Sequence, residues 1–404
     1  MSKVEITKIT DRTGSGAPNF TNGFNIAGAD SGISGFTHTE GSSEPSSPSN
    51  GDTWWDSGND IYKVYMNNAW QDFLGTTPSA FNWGGDRAIT VFSRVDPHLD
   101  GSTLDREFMY YDITTTGNAA DFGDLAYGAY YHAGGISNGS KCVWIGGGGV
   151  WPSSYTDRNE ISYVISSTLS NSSDFGDMTS TRQRGAGASN NTRGLYFGGQ
   201  TGFSTSAINN IEYITIANNG NSADFGDMTV ARSMIGAASN GTYAAAIGGQ
   251  DTSSAYTNVI DRVTIDTVGN ATDHGDMVYG NFFPSAFGNA TRALISNGQN
   301  PSQSNSSGPP ATGWYSVDTI DLATSGNASY WGALTQGCRD SGFTGNNDYA
   351  VRAGGSGVQA SEGGNSGYSN TIDRISMSTA GNATDHGDLL GYAGNGSSCS
   401  GAAS

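Results

Sequence analysis

Positive charge is scarce in this chain. Of 404 residues only 18 are Lys or Arg, against 37 Asp or Glu, and just four are lysines (Lys3, Lys8, Lys63 and Lys141), leaving a net charge of -19. Phosphate backbones are held by clustered Lys and Arg, and no such cluster is present, so nucleic acid is not an expected partner. Proline is also sparse, at 10 residues, whereas Gly reaches 60 and hydrophobic residues 35%. That balance departs from Pro-rich or highly charged disordered chains and suits short strands joined by many turns. Three cysteines, Cys142, Cys338 and Cys399, are too few and too far apart for a disulfide framework or a metal cage. They are expected as buried small residues. No run approaches the roughly 18 apolar residues of a membrane span, and the opening MSKVEITKIT lacks the apolar core of a secretory signal. The expectation is no membrane insertion.

What is present is a repeat. The octapeptide GNATDHGD occurs twice, at 269–276 and 381–388, and four relatives accompany it: GNAADFGD ending at Asp124, SNSSDFGD at Asp177, GNSADFGD at Asp227 and the degenerate GNASYWGA at Ala333. Successive copies lie 53, 50, 49, 57 and 55 residues apart, a period that marks a repeat architecture. A strand-like segment begins 13 positions before the tetrad in every copy, and a Gly-Gly or Asn-Gly pair follows the tetrad's first residue by 24 or 25 positions (Gly146, Gly198, Gly248, Asn297, Gly354). Only the stretch from the glycine pair to the next strand varies, from 12 to 20 positions, so it reads as an exposed loop. Each unit thus holds a Gly/Ala-rich strand, a strand closing on glycines, the variable loop, an alternating strand and a short strand at the tetrad. Four short strands per repeat without helical periodicity describe a β-propeller blade.

These residues resemble the kelch family, whose pattern is a glycine pair closing the second strand, a variable loop, a third strand, an aromatic in a short fourth strand and an Arg a few residues on. Gly198 and Gly199, Gly248 and Gly249, the aromatics Phe175 and Phe225, and Arg182 and Arg232 carry the likeness, which covers roughly residues 80–404. The family's Trp is replaced by Phe, His or, once, Trp331, and its Tyr-Asp pair survives only as Tyr111 and Asp112. After Asp388 only sixteen residues remain, enough for one inner strand, while GGDRAITVFSR near 84–94 reads as a second strand lacking a first. The expected fold is all-β: a six-bladed kelch-like propeller over 78–404, closed by 389–404 joining the 84–124 blade, which removes open sheet edges.

Near-copies in six places cannot all be active sites. Asn, Gly and Asp make tight turns, so Asp121, Asp174, Asp224, Asp273 and Asp385 are expected as structural corners that satisfy buried amides, with the aromatic wedging adjacent blades. His274 and His386 occupy that aromatic slot. Paired carboxylates such as Asp121 and Asp124 could offer oxygen ligands to calcium, but the spacing lacks a recognised calcium loop. His38, His98, His132, His274 and His386 show no HxH or HExxH spacing, and neither a phosphate loop, a nucleophile elbow nor a recurring sialidase box is present. The expectation is no catalytic residue, no metal and no cofactor.

Residues 1–77 do not repeat. Residues 1–50 read as an arm and linker, including the Ser/Pro-rich SSEPSSPSNG. Residues 51–77 carry GDTWWDSGNDIYKVYMNNAWQDF, a hairpin with a Gly-Asn and an Asn-Asn turn whose aromatics supply area for self-packing or for a partner. This pattern, about 25 residues long, resembles a module near the N-terminus of tail fibres and other virion structural proteins of tailed bacteriophages. The resemblance implies a virion component docked through this region, with Trp54, Trp55, Tyr62, Tyr65 and Trp70 as docking candidates and other virion proteins as partners.

The variable loops join second to third strands and fall on one propeller face. Their Tyr and Trp among Ser, Gly, Thr and Asn match adaptable recognition surfaces, and Trp151, Tyr155, Phe203, Tyr256, Trp314, Tyr315 and Tyr368 are the receptor-binding candidates. Together these readings lead to an expected phage tail-fibre or appendage subunit, made in the host cytoplasm and built into the virion, that binds a host-surface glycan or protein. A homo-oligomer is expected, a trimer being one form, although no coiled-coil heptad fixes the number. The competing expectations are an architectural head or neck decoration protein and an enzyme acting on surface polysaccharide.

Overall fold

A computed structural model describes residues 38–49, 51–56, 61–66, 69–72, 85–96, 107–125, 134–150, 154–202, 207–296, 298–299, 313–356 and 367–401. The chain divides into two compact units, Met1–Ala80 and Phe81–Ser404.

The first unit carries a four-stranded sheet in the order His38–Gly41, Thr53–Asp56, Ile61–Met66, Ala69–Asp72. Three strands form the antiparallel hairpins legible in the sequence. The fourth, His38–Gly41, lies within the stretch read as arm and linker and pairs parallel to Thr53–Asp56. Trp54 is buried, and its indole donates to the Gly41 carbonyl at 3.0 Å, which ties the added strand to the hairpin. Trp70 stands edge-on to Trp54 and to Tyr65, with centroids 5.7 and 5.3 Å apart. Lys63 pairs with Asp56 at 3.5 Å and sits over the Trp54 ring. The two turns of this hairpin fall outside the described residues.

The second unit is a six-bladed β-propeller built from four-stranded antiparallel blades. Blade 2 runs Gly134–Ser137, Lys141–Ile145, Glu160–Ile165 and Ser173–Asp177; blade 3, Ala186–Ser189, Arg193–Phe197, Asn210–Thr215 and Ala223–Asp227. Blade 4 runs Gly236–Ser239, Tyr243–Ile247, Val259–Thr264 and Thr272–Asp276; blade 5, Ser285–Gly288, Ala293–Ser296, Ser316–Ile320 and Ser329–Ala333. Blade 6 takes Gly342–Gly345, Tyr349–Ala353, Ser369–Ser376 and the start of the long strand Thr384–Gly401. That long strand then crosses to blade 1, where it pairs with Arg87–Asp96 from Tyr392 opposite Asp96 to Gly401 opposite Arg87; Glu107–Asp112 and Ala120–Asp124 complete the blade. The six inner strands neighbour one another in a closed ring. Helix is confined, among the described residues, to the 3-10 turn Gly313–Tyr315.

Local chemistry explains the blade. Between first and second strands sits an Asn (Asn138, Asn190, Asn240, Asn289 or Asn346) whose Oδ1 accepts the amides two and three residues on, at 2.7–3.2 Å, folding the chain into a hairpin. Inner strands are Gly- and Ala-rich because backbones meet at the axis: a Cβ on Gly134 would stand 2.7 Å from the Gly187 amide nitrogen. Serines stitch that layer, Ser189 and Ser239 each donating to the preceding blade's serine carbonyl at 2.8 Å. Apolar side chains from adjacent blades meet in a separate cluster at each of the six joints.

Candidate binding face

The repeated octapeptide is a clasp between blades. Its Asn reaches back to the preceding blade and accepts the amide of the last tetrad residue: Asp124 to Asn171, Asp177 to Asn221, Asp227 to Asn270 and Asp276 to Asn327, all at 3.0 Å, and Ala333 to Asn382 at 3.2 Å. The sixth clasp, Asp388 to Asn118 at 3.1 Å, joins blade 6 to blade 1 across the chain's closure. The tetrad glycine is pressed against the next octapeptide: a Cβ on Gly226, whose φ is +143°, would lie 2.5 Å from the Gly269 carbonyl oxygen. The corner aspartates are exposed. Asp121, Asp174, Asp273 and Asp385 each accept the amide of the tetrad glycine at 3.1–3.2 Å, and Asp224 accepts from the Asn210 side chain at 2.7 Å. Bridging to a neighbouring blade is therefore the work of Asn, and the first Asp shapes its own turn.

The aromatic slot has two coupled forms. Phe122, Phe175 and Phe225 bring no donor, and the facing carbonyls of the next blade, on Ile165, Thr215 and Thr264, accept their own turn's amides at 3.1–3.2 Å. His274, Trp331 and His386 do bring a donor, and it goes to the equivalent carbonyls of Asp321, Ser376 and Asp112 at 3.0, 3.1 and 2.6 Å. Those three residues close their turns with side-chain oxygens instead, which frees the carbonyl. Because a carbonyl only accepts, Nε2 carries the proton in both histidines. Burial lowers the pKa of each; Arg262 adds to the effect at His274 and Arg374 at His386, against the opposing pull of the carbonyl bonds. Both are packed neutral rings. At Asp112 burial works upward, but the bonds from Thr114 and Thr115 prevail and lower its pKa.

Cations are spent on the same joints. Arg87, Lys141 and Arg193 each lie over a third-strand Tyr at 4.5–4.8 Å and donate to a carbonyl of the next blade at 2.9–3.3 Å. Arg262 and Arg374 do the same with ring and cation exchanged between strands. Arg292 lies 4.4 Å from the Trp331 ring. Three further arginines are wholly buried against acids: Arg182 with Glu212, Arg232 with Asp261 at 2.6 Å, and Arg352 with Asp373.

The variable loops leave from one face. Their first residues, Gln200, Gln299 and Ser356, bridge to Gln183, Phe282 and Arg339, and Gln250 pairs with Ser233, so the segments entering the inner strands share that face. Of the sequence candidates there, Tyr256 is 38% exposed and stacks on Phe282 with centroids 4.9 Å apart and planes at 12°. Trp314 and Tyr368 are half-buried. Tyr315 is 6% exposed; it packs on Ala333 of its own blade and its ring lies within 3 Å of where a Gly337 Cβ would stand, so it is part of the packing of blade 5. Trp151, Phe203 and the side chain of Tyr155 lie outside the described residues, as do the side chains of Trp55 and Tyr62 in the first unit. Sequence reasoning missed Arg184, Phe282, Phe283 and Arg339. Phe283 lies 5.1 Å from Phe282, Arg184 lies 5.9 Å from the Phe283 ring, and Arg339 lies 5.5 and 5.7 Å from the Phe282 and Phe283 rings. Arg184, Met234, Phe283 and Asp340 hold equivalent corners with φ of 62°, 57°, 58° and 56°, a left-handed conformation uncommon for such side chains. Amide bonds link the corners, Met234 to Arg184 at 2.7 Å and Phe283 to Met234 at 2.8 Å.

Among the described residues no group of three or more His, Cys, Asp or Glu is placed to hold a metal ion, and no helix is long and apolar enough to cross a membrane. Cys142 and Cys338 are buried, and burial pushes the Cys338 thiol up to about 11. No protein-family model matches the chain, and comparison with curated proteins finds no match.

Proposed function

We propose that this chain is a structural subunit of a tailed-phage virion, a tail fibre or appendage, whose kelch-like propeller binds a host-surface receptor through the loop face. The observation that carries the reading is that the variable loops leave from one face, on which the exposed Tyr256 ring stacks against Phe282. Rigid aromatic area among small polar residues favours recognition over chemistry, and the reading includes no catalytic step. The aromatic hairpin of the first unit supports the virion assignment through its resemblance to phage attachment modules, with Tyr65 and Trp70 half-buried at its surface.

Incubation of the purified protein with host envelope fractions tests the proposal. Retention without product is the expected result. Absence of retention would favour an architectural head or neck protein, and released oligosaccharide would favour a polysaccharide-active enzyme.

A further inference from the structure

Most of the propeller's described cations are tied into its joints, and two are gathered on the loop face. Among its described residues, Arg87, Lys141, Arg193, Arg262, Arg292 and Arg374 lie over blade aromatics, Arg182, Arg232 and Arg352 are buried against acids, and Arg158 pairs with Glu160. Arg184 and Arg339 lie instead at the loop-face corners, against the Phe282 and Phe283 rings. They come from different blades, both are partly exposed, and both converge on the Phe283 ring. Arg184 donates to Gln200 at 3.5 Å, while Arg339 donates to Gln299 and faces Asp340 at 3.6 Å, which in turn accepts from Ser356 at 2.8 Å. Beside them the Tyr256 and Phe282 stack offers a flat apolar surface.

We infer that this cluster is a subsite for a glycan carrying an isolated carboxylate, a uronic or sialic acid residue within an otherwise neutral chain. The inference rests on the receptor-binding reading above and names the receptor's chemistry. Guanidinium groups recognise carboxylates with paired donors, side-chain amides suit hydroxyls, and an aromatic face receives the C–H face of a pyranose. A polyanion fits less well, because a chain of net charge -19 repels it at long range. The left-handed corners at Arg184 and Phe283 hold the groups around the mouth of the inner-strand ring, where rigid placement favours binding.

The test is calorimetric titration of the full chain with 3′-sialyllactose and with glucuronosyl-xylotriose, each against its neutral parent, lactose or xylotriose. At least one acidic sugar is expected to bind tenfold or more tightly than its parent, and Arg184→Asn and Arg339→Gln are each expected to remove most of that preference. Asn tolerates a left-handed backbone, and unchanged thermal unfolding certifies the variants; where one fails to fold, the Tyr256→Ala variant takes its place, with affinity for the acidic sugar expected to fall. Equal binding of acidic and neutral sugars, unchanged preference in folded variants, or stronger binding of triglutamate, which would indicate an acidic peptide, overturns the inference. Envelope retention without binding to either acidic sugar would sink this inference and leave the receptor reading standing; loss of retention would remove both.

Discussion

The buried cation of blade 6 can be moved without moving its charge. In blade 4, Arg232 enters from the segment after the tetrad, donates to the Gly248 carbonyl at 2.7 Å and to Asp261 at 2.6 Å, and faces a second-strand alanine, Ala246, paired opposite Asp261. In blade 6 the position equivalent to Arg232 is Cys338. Arg352, equivalent to Ala246 and paired opposite Asp373, supplies the guanidinium instead, donating to the matching carbonyl of Gly354 at 2.6 Å and to Asp373. Both partners are at most 1% exposed. Arg352→Ala therefore leaves a buried carboxylate without its cation, an expected loss of about 3–5 kcal/mol. Adding Cys338→Arg recreates the blade 4 arrangement and is expected to recover more than half of it. Cys338→Arg alone crowds two cations onto one acid and is expected to be destabilising. Equilibrium urea unfolding of the four proteins gives the coupling directly. An Arg352→Ala loss below about 1 kcal/mol, on the scale of an exposed pair, or a double variant no more stable than that single, would refute the equivalence of the two slots.

Three other outcomes follow from the joints. Gly226→Ala meets both a backbone oxygen and a positive φ and is expected to cost more than about 2 kcal/mol, whereas Gly269→Ala, with open space around its Cβ, stays within about 0.5 kcal/mol; denaturant midpoints distinguish them. Asn118→Ala at the closure and Asn221→Ala between blades 2 and 3 each remove one amide acceptor, and equal losses of about 0.5–1.5 kcal/mol are expected; a silent Asn118→Ala would mean an open ring. Because the folded-state pKa values of His274 and His386 lie below the ordinary imidazole value of 6.5, the unfolded chain binds protons first. Stability from these rings is complete above that value and falls as pH drops through it; a His274→Phe, His386→Phe variant should show a flatter profile between about pH 7 and pH 5.

Period, strand order and closure were legible because each is written along the chain: a strand 13 residues before a tetrad and a glycine pair after it are local facts. The clasp was legible only in half. GNATDHGD announces a turn, but its Asn serves an amide 43 to 51 residues earlier in most blades and 270 away at the closure, a partnership that exists only once the blades stand side by side. Four of the corner aspartates do accept an amide, that of the glycine in their own turn, while the amide that bridges two blades goes to Asn. Loop aromatics such as Tyr256 stood out by composition. Phe282, Phe283, Arg184 and Arg339 did not, since they follow the tetrad at ordinary positions and meet only where separate blades turn toward the axis. Tyr315 shared the composition of a contact residue but packs inside its own blade, where a glycine at 337 makes room for its ring.

The pairing of Gly401 with Arg87 has a mechanical consequence. Strand and partner run antiparallel, so the outer end of each lies at the same end of the ladder. Tension applied just before Arg87 and just after Gly401 would load one rung at a time, from Gly401 inward, and peel the sheet like a zipper instead of shearing all rungs together. A particle that pulled on this domain through those two points would unfasten it at low force, whereas a pull through either point alone would leave the seam unloaded.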